Sequence, residues 1–390
     1  MSTLKVGGIR GVSASSDAIT VANDGTCTAN ITSNGGSQIS NRNVIINGSM
    51  IVDQRNGGSS ITPADTNYTC DRWRYTASQA SKFNVQQLST SPPTGFLNYL
   101  KFTVASAVTV GTNDYFAIEQ RIEGQNVTSR FGLGTANAKV LKLSFHVKSS
   151  LTGTFGGAIR GAGFSRTHPF SYAISSADTW EKKTITIAAD TGGSYSTNNT
   201  TALGVLFSLG AGSGKSGTAG AWTASDLFSA TSAVSVVGTG SATFEITGVQ
   251  LEEVVATDFE HRSFGQELAL CQRYFFKTGD IGTNNEWFPG VATNASHGNF
   301  TTQGMDGLQD RSAPSLRFPC YMRAAGTVVF YPGRSGTANT ANNINPFVSN
   351  TLVTTTDKPT ASVGGLEYYF QGTSTDSEAY VFQCTVDSEL

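Results

Sequence analysis

Charged side chains are scarce: Asp, Glu, Lys and Arg together make up 14% of the 390 residues, where about a quarter is usual. The formal net charge is only -2. Lys and Arg stand singly, with no basic stripe to track a phosphate backbone, so no nucleic-acid partner is expected. Long apolar runs are missing as well. No stretch approaches the ~18 residues of a membrane span, and the opening MSTLKVGGIRGVSASS lacks the apolar centre of a signal peptide. No membrane insertion is expected. The five cysteines, Cys27, Cys70, Cys271, Cys320 and Cys384, are odd in number, far apart and without a CxxC. That pattern fits free thiols in a protein folded in a reducing cytoplasm. His146, His168, His261 and His297 show no metal-ligand spacing, and no serine sits in a G-x-S-x-G elbow. Neither a metal nor a cofactor is expected.

What is present is β-structure. Glycine reaches 43 residues, hydrophobics 38% and aromatics 10%, and the apolar residues fall in short alternating runs. Leu100, Phe102 and Val104 alternate, as do Leu141, Leu143, Phe145 and Val147, Ile185 and Ile187, then Leu203, Val205, Phe207 and Leu209. Strands with one apolar face build antiparallel sheets that are wet on the other side. Many such strands between residues 41 and 258 predict a two-sheet sandwich, most simply a jelly roll. Before it, residues 1–40 hold two β-like runs, 18–22 and 26–31, joined through Asn23-Asp24-Gly25 as a hairpin arm. After it, residues 278–390 repeat the style at smaller scale: Val328 to Tyr331 stops at Pro332-Gly333, and Tyr380, Phe382, Cys384 and Val386 alternate to the end. The fold class is therefore all-β: a hairpin arm, a jelly-roll sandwich, a linking helix at 259–277 and a second, smaller sandwich.

The junction is the most informative stretch. Phe244 and Ile246 alternate with polar neighbours, and after Gly248 the apolar phase moves to Val249 and Leu251, as a β-bulge would make it. Ser263 with Gln266 three residues later reads as a capping box. Phe264, Leu268, Cys271 and Phe275 then recur at helical steps. This is the one helix the sequence signals. Its spacing fits a short inter-chain seam in an oligomer and equally a helix covering one end of a sandwich.

Chemical motifs are few. Gly210 to Ser216 imitates a phosphate loop but lacks the required first glycine and the following helix. Asp65, Asp71, Glu119 and Glu123 are carboxylates of the kind that flank a glycosidic bond, but sequence places no pair of them. Tyr68 to Tyr75 packs Asp71, Arg72 and Trp73 together; a buried Trp73 with Asp71 and Arg72 tying a loop is preferred over a sugar grip. The candidate glycan contacts lie in the C-terminal part. Asn284, Asn285, Trp287 and Phe288 put amides beside aromatics, and Tyr331 with Arg334 opens a long Gly/Asn/Thr-rich loop.

Asn41 to Met50, then Val52 to Arg55 and Tyr68 to Trp73, resembles the opening of a β-domain of bacteriophage tail fibre proteins. Gly248 to Glu252, Phe259 to Ser263, Glu267 to Tyr274, Met322 to Ala324 and the closing Asp387-Ser388-Glu389-Leu390 are similar to the same family. The resemblance implies a homotrimeric virion protein, assembled in the bacterial cytoplasm. Its N-terminal part would be held by other virion proteins and its distal part would face host surface polysaccharide. It implies a jelly roll similar to carbohydrate-binding modules and no catalytic residues. The expected function is non-enzymatic attachment as a tail fibre. The alternatives are a purely structural collar, head-fibre or decoration protein, and a polysaccharide depolymerase.

Overall fold

The computed structural model describes residues 8–9, 19–21, 27–29, 41–278, 300–303, 315–332, 340–343, 351–354, 360–367 and 379–390. Three short N-terminal strands, β1 (Gly8–Ile9), β2 (Ile19–Val21) and β3 (Cys27–Ala29), pair antiparallel in that order. The expected hairpin is β2–β3.

The first sandwich is built from β4 (Tyr68–Cys70), β5 (Trp73–Ala77), β6 (Phe83–Leu88), β7 (Tyr99–Val104), β8 (Tyr115–Glu123), α1 (Gly124–Phe131), β9 (Leu141–Ser149), β10 (Gly153–Gly161), β11 (Arg166–Ile174), β12 (Glu181–Ile187), β13 (Thr201–Ala211), β14 (Ser216–Gly217), β15 (Ser229–Ala230) and β16 (Thr243–Glu253). One sheet runs β11-β10-β13-β8-β5-β4 and the other β12-β9-β16-β7-β6, and every pairing within them is antiparallel. The alternation seen in the sequence fills the space between them. Leu100, Phe102, Leu143, Phe145, Val205, Phe207, Phe244 and Ile246 are all fully buried in one core with Trp73 and Tyr75. Edge-on ring contacts fix its geometry, such as Phe145 against Phe207 at 4.8 Å. Trp73 belongs to this core, so the structural reading of the Tyr68 to Tyr75 cluster holds.

Helix α1 corrects the expectation of a single helix. Only Val127 and Phe131 mark its apolar face, too few for periodicity to register. Gly132 closes it in the left-handed conformation at φ 63°, returning its N–H to Ser129 and Thr128 carbonyls.

The bulge lies where the phase shift puts it. The register of β16 against β9 slips between Thr247 and Gln250, and Gly248 takes φ 63°. A Cβ there would stand 2.5 Å from the Phe96 ring and 2.9 Å from His146 Nδ1. Gly248→Ala should therefore cost about 2–4 kcal/mol, left-handed strain and overpacking combined. A urea midpoint unchanged from that of the parent protein would contradict the bulge. The bulge also frees backbone for residues 43–50: the Val249 N–H donates to the Gly48 carbonyl at 2.9 Å, and the Asn43 side chain bonds both Val249 O and Leu251 N.

Helix α2 (Phe264–Gln272) has the expected capping box between Ser263 and Gln266. It leads into a sheet centred on β25 (Ala379–Asp387), which pairs with β17 (Phe275–Lys277), β18 (Phe300–Gln303), β20 (Thr327–Pro332) and β21 (Thr340–Asn343). β21 in turn carries β22 (Thr351–Thr354). A second small sheet joins β19 (Ser315–Arg317), β23 (Thr360–Ala361) and β24 (Gly365–Glu367). The C-terminal sheet thus begins at Phe275, inside the stretch read as linker.

Candidate functional site

Of the glycan contacts expected from sequence, Asn284, Asn285, Trp287, Phe288 and Arg334 lie outside the described residues, and Tyr331 sits on β20 opposite Gln383. The four seam residues do not form one exposed stripe. The helix ends at Gln272, so Phe275 belongs to β17 and is buried. Cys271 is fully buried against Ile46, Val52 and Tyr274, with Leu268 packed beside them, while Phe264 is 58% exposed. The inner part of the spacing serves an intrachain core.

That core is flanked by buried ion pairs which join the C-terminal sheet to the sandwich. Glu123, at the end of β8, accepts Arg273 Nε and Nη2 at 2.9 and 2.8 Å and also the Tyr274 hydroxyl. Arg72 has φ 71° and 1% exposure; it pairs with Glu389, donates to the Arg121 carbonyl and lies 3.4 Å over the Tyr274 ring. Arg55 reaches Asp387 at 2.7 Å and Glu389 at 3.3 Å. Arg323 binds the carbonyls of Ser388 and Glu389. Asp71 beside them accepts the Gln54 side chain at 2.6 Å, and burial pushes its carboxyl up to about 7. Between pH 4 and 7 the folded chain holds a proton there that the unfolded chain has released, so stability falls as pH rises through 7. Denaturation midpoints should be higher at pH 5.5 than at pH 8.5, by on the order of 1–3 kcal/mol, since a tenfold change in proton affinity is worth about 1.4 kcal/mol. Asp71→Asn should flatten that slope.

A second charged group occupies the outer face of the sheet that contains β8. Alternation points Phe116, Ile118 and Ile122 into the core and leaves Glu119 and Arg121 on the opposite face. Strand register sets Arg74 opposite Glu119, and Gly204 between Arg121 and Arg160. Gly204 is what allows convergence: a Cβ there would approach Glu119 Oε1 to 2.8 Å. Fully buried Glu119 receives Arg160 at 3.0 Å and Arg121 at 3.1 Å, with Arg74 at 4.0 Å. Arg160 continues to Asp226 at 2.5 Å, which also meets Lys215 at 3.1 Å. Burial would raise the Asp226 carboxyl, but Arg160 and Lys215 outweigh it and hold it below the usual range. The Phe164 ring orients two guanidiniums, Arg160 at 4.1 Å and Arg121 at 4.7 Å. The face is bounded on one side by Phe228, packed on Ala117 and Leu206. On the other, Arg72, paired with Glu389, donates to the Arg121 carbonyl.

Sequence reasoning named Glu119 only as a loose carboxylate and passed over Arg121 and Arg160. Their outward phase in β8 and β10 was readable; their convergence depends on the pairing of Arg160 with Gly204 and of Gly204 with Arg121, on strands far apart in the chain. Lys215, in the false phosphate loop, is here the partner of Asp226. Among the described residues no three potential metal ligands come together, and no helix is long and apolar enough to cross a membrane.

No protein-family model matches the chain, and no curated protein matches it in sequence. Solved structures similar to it include a putative sugar binding protein from Bacteroides thetaiotaomicron, 12% identical with TM-score 0.32, covering 55% of this chain and 100% of that one. A family 11 carbohydrate-binding module from Clostridium thermocellum, in complex with a β-1,3-1,4-mixed-linked tetrasaccharide, is 12% identical with TM-score 0.25, covering 51% and 97%. The enzymatically active domain of bacteriophage CBA120 tailspike protein 4 is 12% identical with TM-score 0.30, covering 54% of this chain but only 21% of that one.

Proposed function

We propose that this protein is a bacteriophage virion fibre, a tail fibre in its simplest form, that attaches to host-surface glycan without cleaving it. The observation that carries the reading is the arginine-rich outer face around Glu119, a polar constellation held on rigid strands. Saccharide recognition needs donors fixed in direction, and guanidiniums stacked on Phe164 and braced on Glu119 supply them. Catalysis by a carboxylate pair is disfavoured because Glu119 is engaged by arginines and Glu123 by Arg273 and Tyr274; neither is free to donate or accept a proton at a glycosidic oxygen. The resemblance of residues 41–50, 52–55, 68–73, 248–252, 259–263, 267–274, 322–324 and 387–390 to tail fibres supplies the virion setting. It also suggests a homotrimer with its N-terminal strands toward the particle. Three weak sites acting together would give firm attachment.

Labelled protein should bind cells of the host saturably, and Arg74→Gln with Arg121→Gln should weaken adsorption ~10-fold or more, the scale of two lost charge-assisted contacts. Absence of adsorption to every strain the phage infects would sink the attachment reading and leave a collar or decoration protein. Shortening of host polysaccharide by the purified protein would restore the depolymerase. Light scattering checks the trimer; a monomer at micromolar concentration would contradict it.

A further inference from the structure

The same face is electrically unbalanced, and the imbalance indicates its ligand class. Among the described residues Arg74, Arg121, Arg160 and Lys215 pair with Glu119 and Asp226: four cations share two carboxylates. Asp65 is a further carboxylate near Tyr115. It is hydrogen-bonded to the Ala77 amide and acts on Tyr115, and counting it still leaves one positive charge in excess. This sits on a chain whose net charge is -2. A purely structural network of buried ions tends toward balance, because each uncompensated charge withdrawn from water is costly.

Hydrogen bonding shows the same excess on the donor side. Arg160 is 5% exposed, and its Nε is sealed from water without an acceptor; the Nε of Arg74 is likewise sealed. The Nη1 and Nη2 nitrogens of Arg74 and Arg121 have no hydrogen-bond acceptor among the described residues, and none of them is sealed from solvent. Donors outnumber acceptors among the described residues, and the Arg74 and Arg121 side chains keep 13% and 19% of their surface exposed. Phe164, which stacks on two of the guanidiniums, holds φ 67°. That left-handed conformation is strained for a bulky residue and persists where the surroundings over-determine it.

Resting on the glycan reading above, we propose that this face takes an anionic saccharide, with a sugar carboxylate or phosphate bridging Arg74 and Arg121. Planar guanidiniums with free edges suit the paired oxygens of such a group. Arg160, Glu119 and Phe164 act as positioning residues that keep the two edges apart and aligned.

The test titrates the full-length protein, by calorimetry, with three probes: oligogalacturonate, the same oligomer fully methyl-esterified, and mannose 6-phosphate. Oligogalacturonate binding that weakens with added salt and is lost on esterification supports the proposal with carboxylate as the group. Mannose 6-phosphate binding alone supports it with phosphate. In either case Arg74→Gln, at a side chain whose Nε stands 4.0 Å from Glu119, should weaken binding ~10-fold with an unchanged urea midpoint. Arg121→Gln should weaken binding as much while also lowering the midpoint, because it removes the 3.1 Å bond to buried Glu119. Equal binding of acid and ester, or variants that bind like the parent protein, overturns it while leaving glycan attachment intact. Failure of both anionic probes also overturns it. If adsorption to host cells persists in that case the attachment reading survives, and if adsorption is absent too both fall.

Discussion

Replacing Glu389 with alanine should lower stability by about 3–5 kcal/mol, the usual penalty for orphaning a buried charge. Arg72 is 1% exposed, so the guanidinium cannot be rehydrated without opening the structure around it. After the substitution it keeps, among the described residues, the Arg121 carbonyl and the Tyr274 ring. Arg55 would lose one of its two carboxylates at the same time. The effect should not stay local, because this tail ties β25 to the sandwich. The Tyr68 hydroxyl holds the Leu390 carbonyl at 2.9 Å, and Arg323 holds Ser388 and Glu389. Faster proteolysis within residues 275–390 should accompany the lower urea midpoint. Arg72→Met combined with Glu389→Met should be much milder than either change alone, since a buried pair replaced by apolar groups loses attraction and desolvation penalty together. A loss below about 0.5 kcal/mol for Glu389→Ala, the range of an ordinary surface change, would show that the tail is not docked as described.

Cys271→Asp should be at least as damaging, costing about 4 kcal/mol or more, because a carboxylate would enter a dry cluster with no partner. Cys271 is fully buried against Ile46, Val52 and Tyr274. Burial already pushes its thiol well above the usual range, which is the signature of a site hostile to negative charge. The loss should be the same at every protein concentration, since the contacts broken lie within one chain. Phe264→Asp, at a position 58% exposed, provides the contrast: it should leave the denaturation midpoint within about 0.5 kcal/mol. If instead Cys271→Asp dissociates an oligomer whose separate chains stay folded, the helix is an inter-chain seam after all.

The junction's local features were legible in the sequence and the face its helix buries was not, for a physical reason. The capping box at Ser263 and the bulge at Gly248 are local events, written in residues three or four apart, and both are present. The face of α2 that is buried is not local. It depends on residues 46 and 52, more than 200 positions away, which the bulge at Gly248 admits beside β16. Spacing alone fits a coiled-coil seam and a covering helix equally.

The resemblance to tail fibres contributed in a similar way. Asn43, Asn47, Asp71, Arg72, Glu389 and Arg273 fall within the segments that carry it, and the structure uses each as a connector, with Arg273 the half-buried one. They bind the parts of the chain to one another. The face with outward donors instead draws on Arg121 and Arg160, outside those segments.

Composition and alternation by themselves determined that the chain is all-β and that it forms an antiparallel sandwich followed by a smaller β-unit. Those properties follow from period-two burial and turn chemistry, which act over a few residues. Only the tertiary structure decided that Glu389 neutralises Arg72, that Cys271 faces inward, and that three arginines from three strands converge on Glu119. Each of these is a charge or packing relation between distant segments, and strand register, which one-dimensional patterning leaves open, is what sets it.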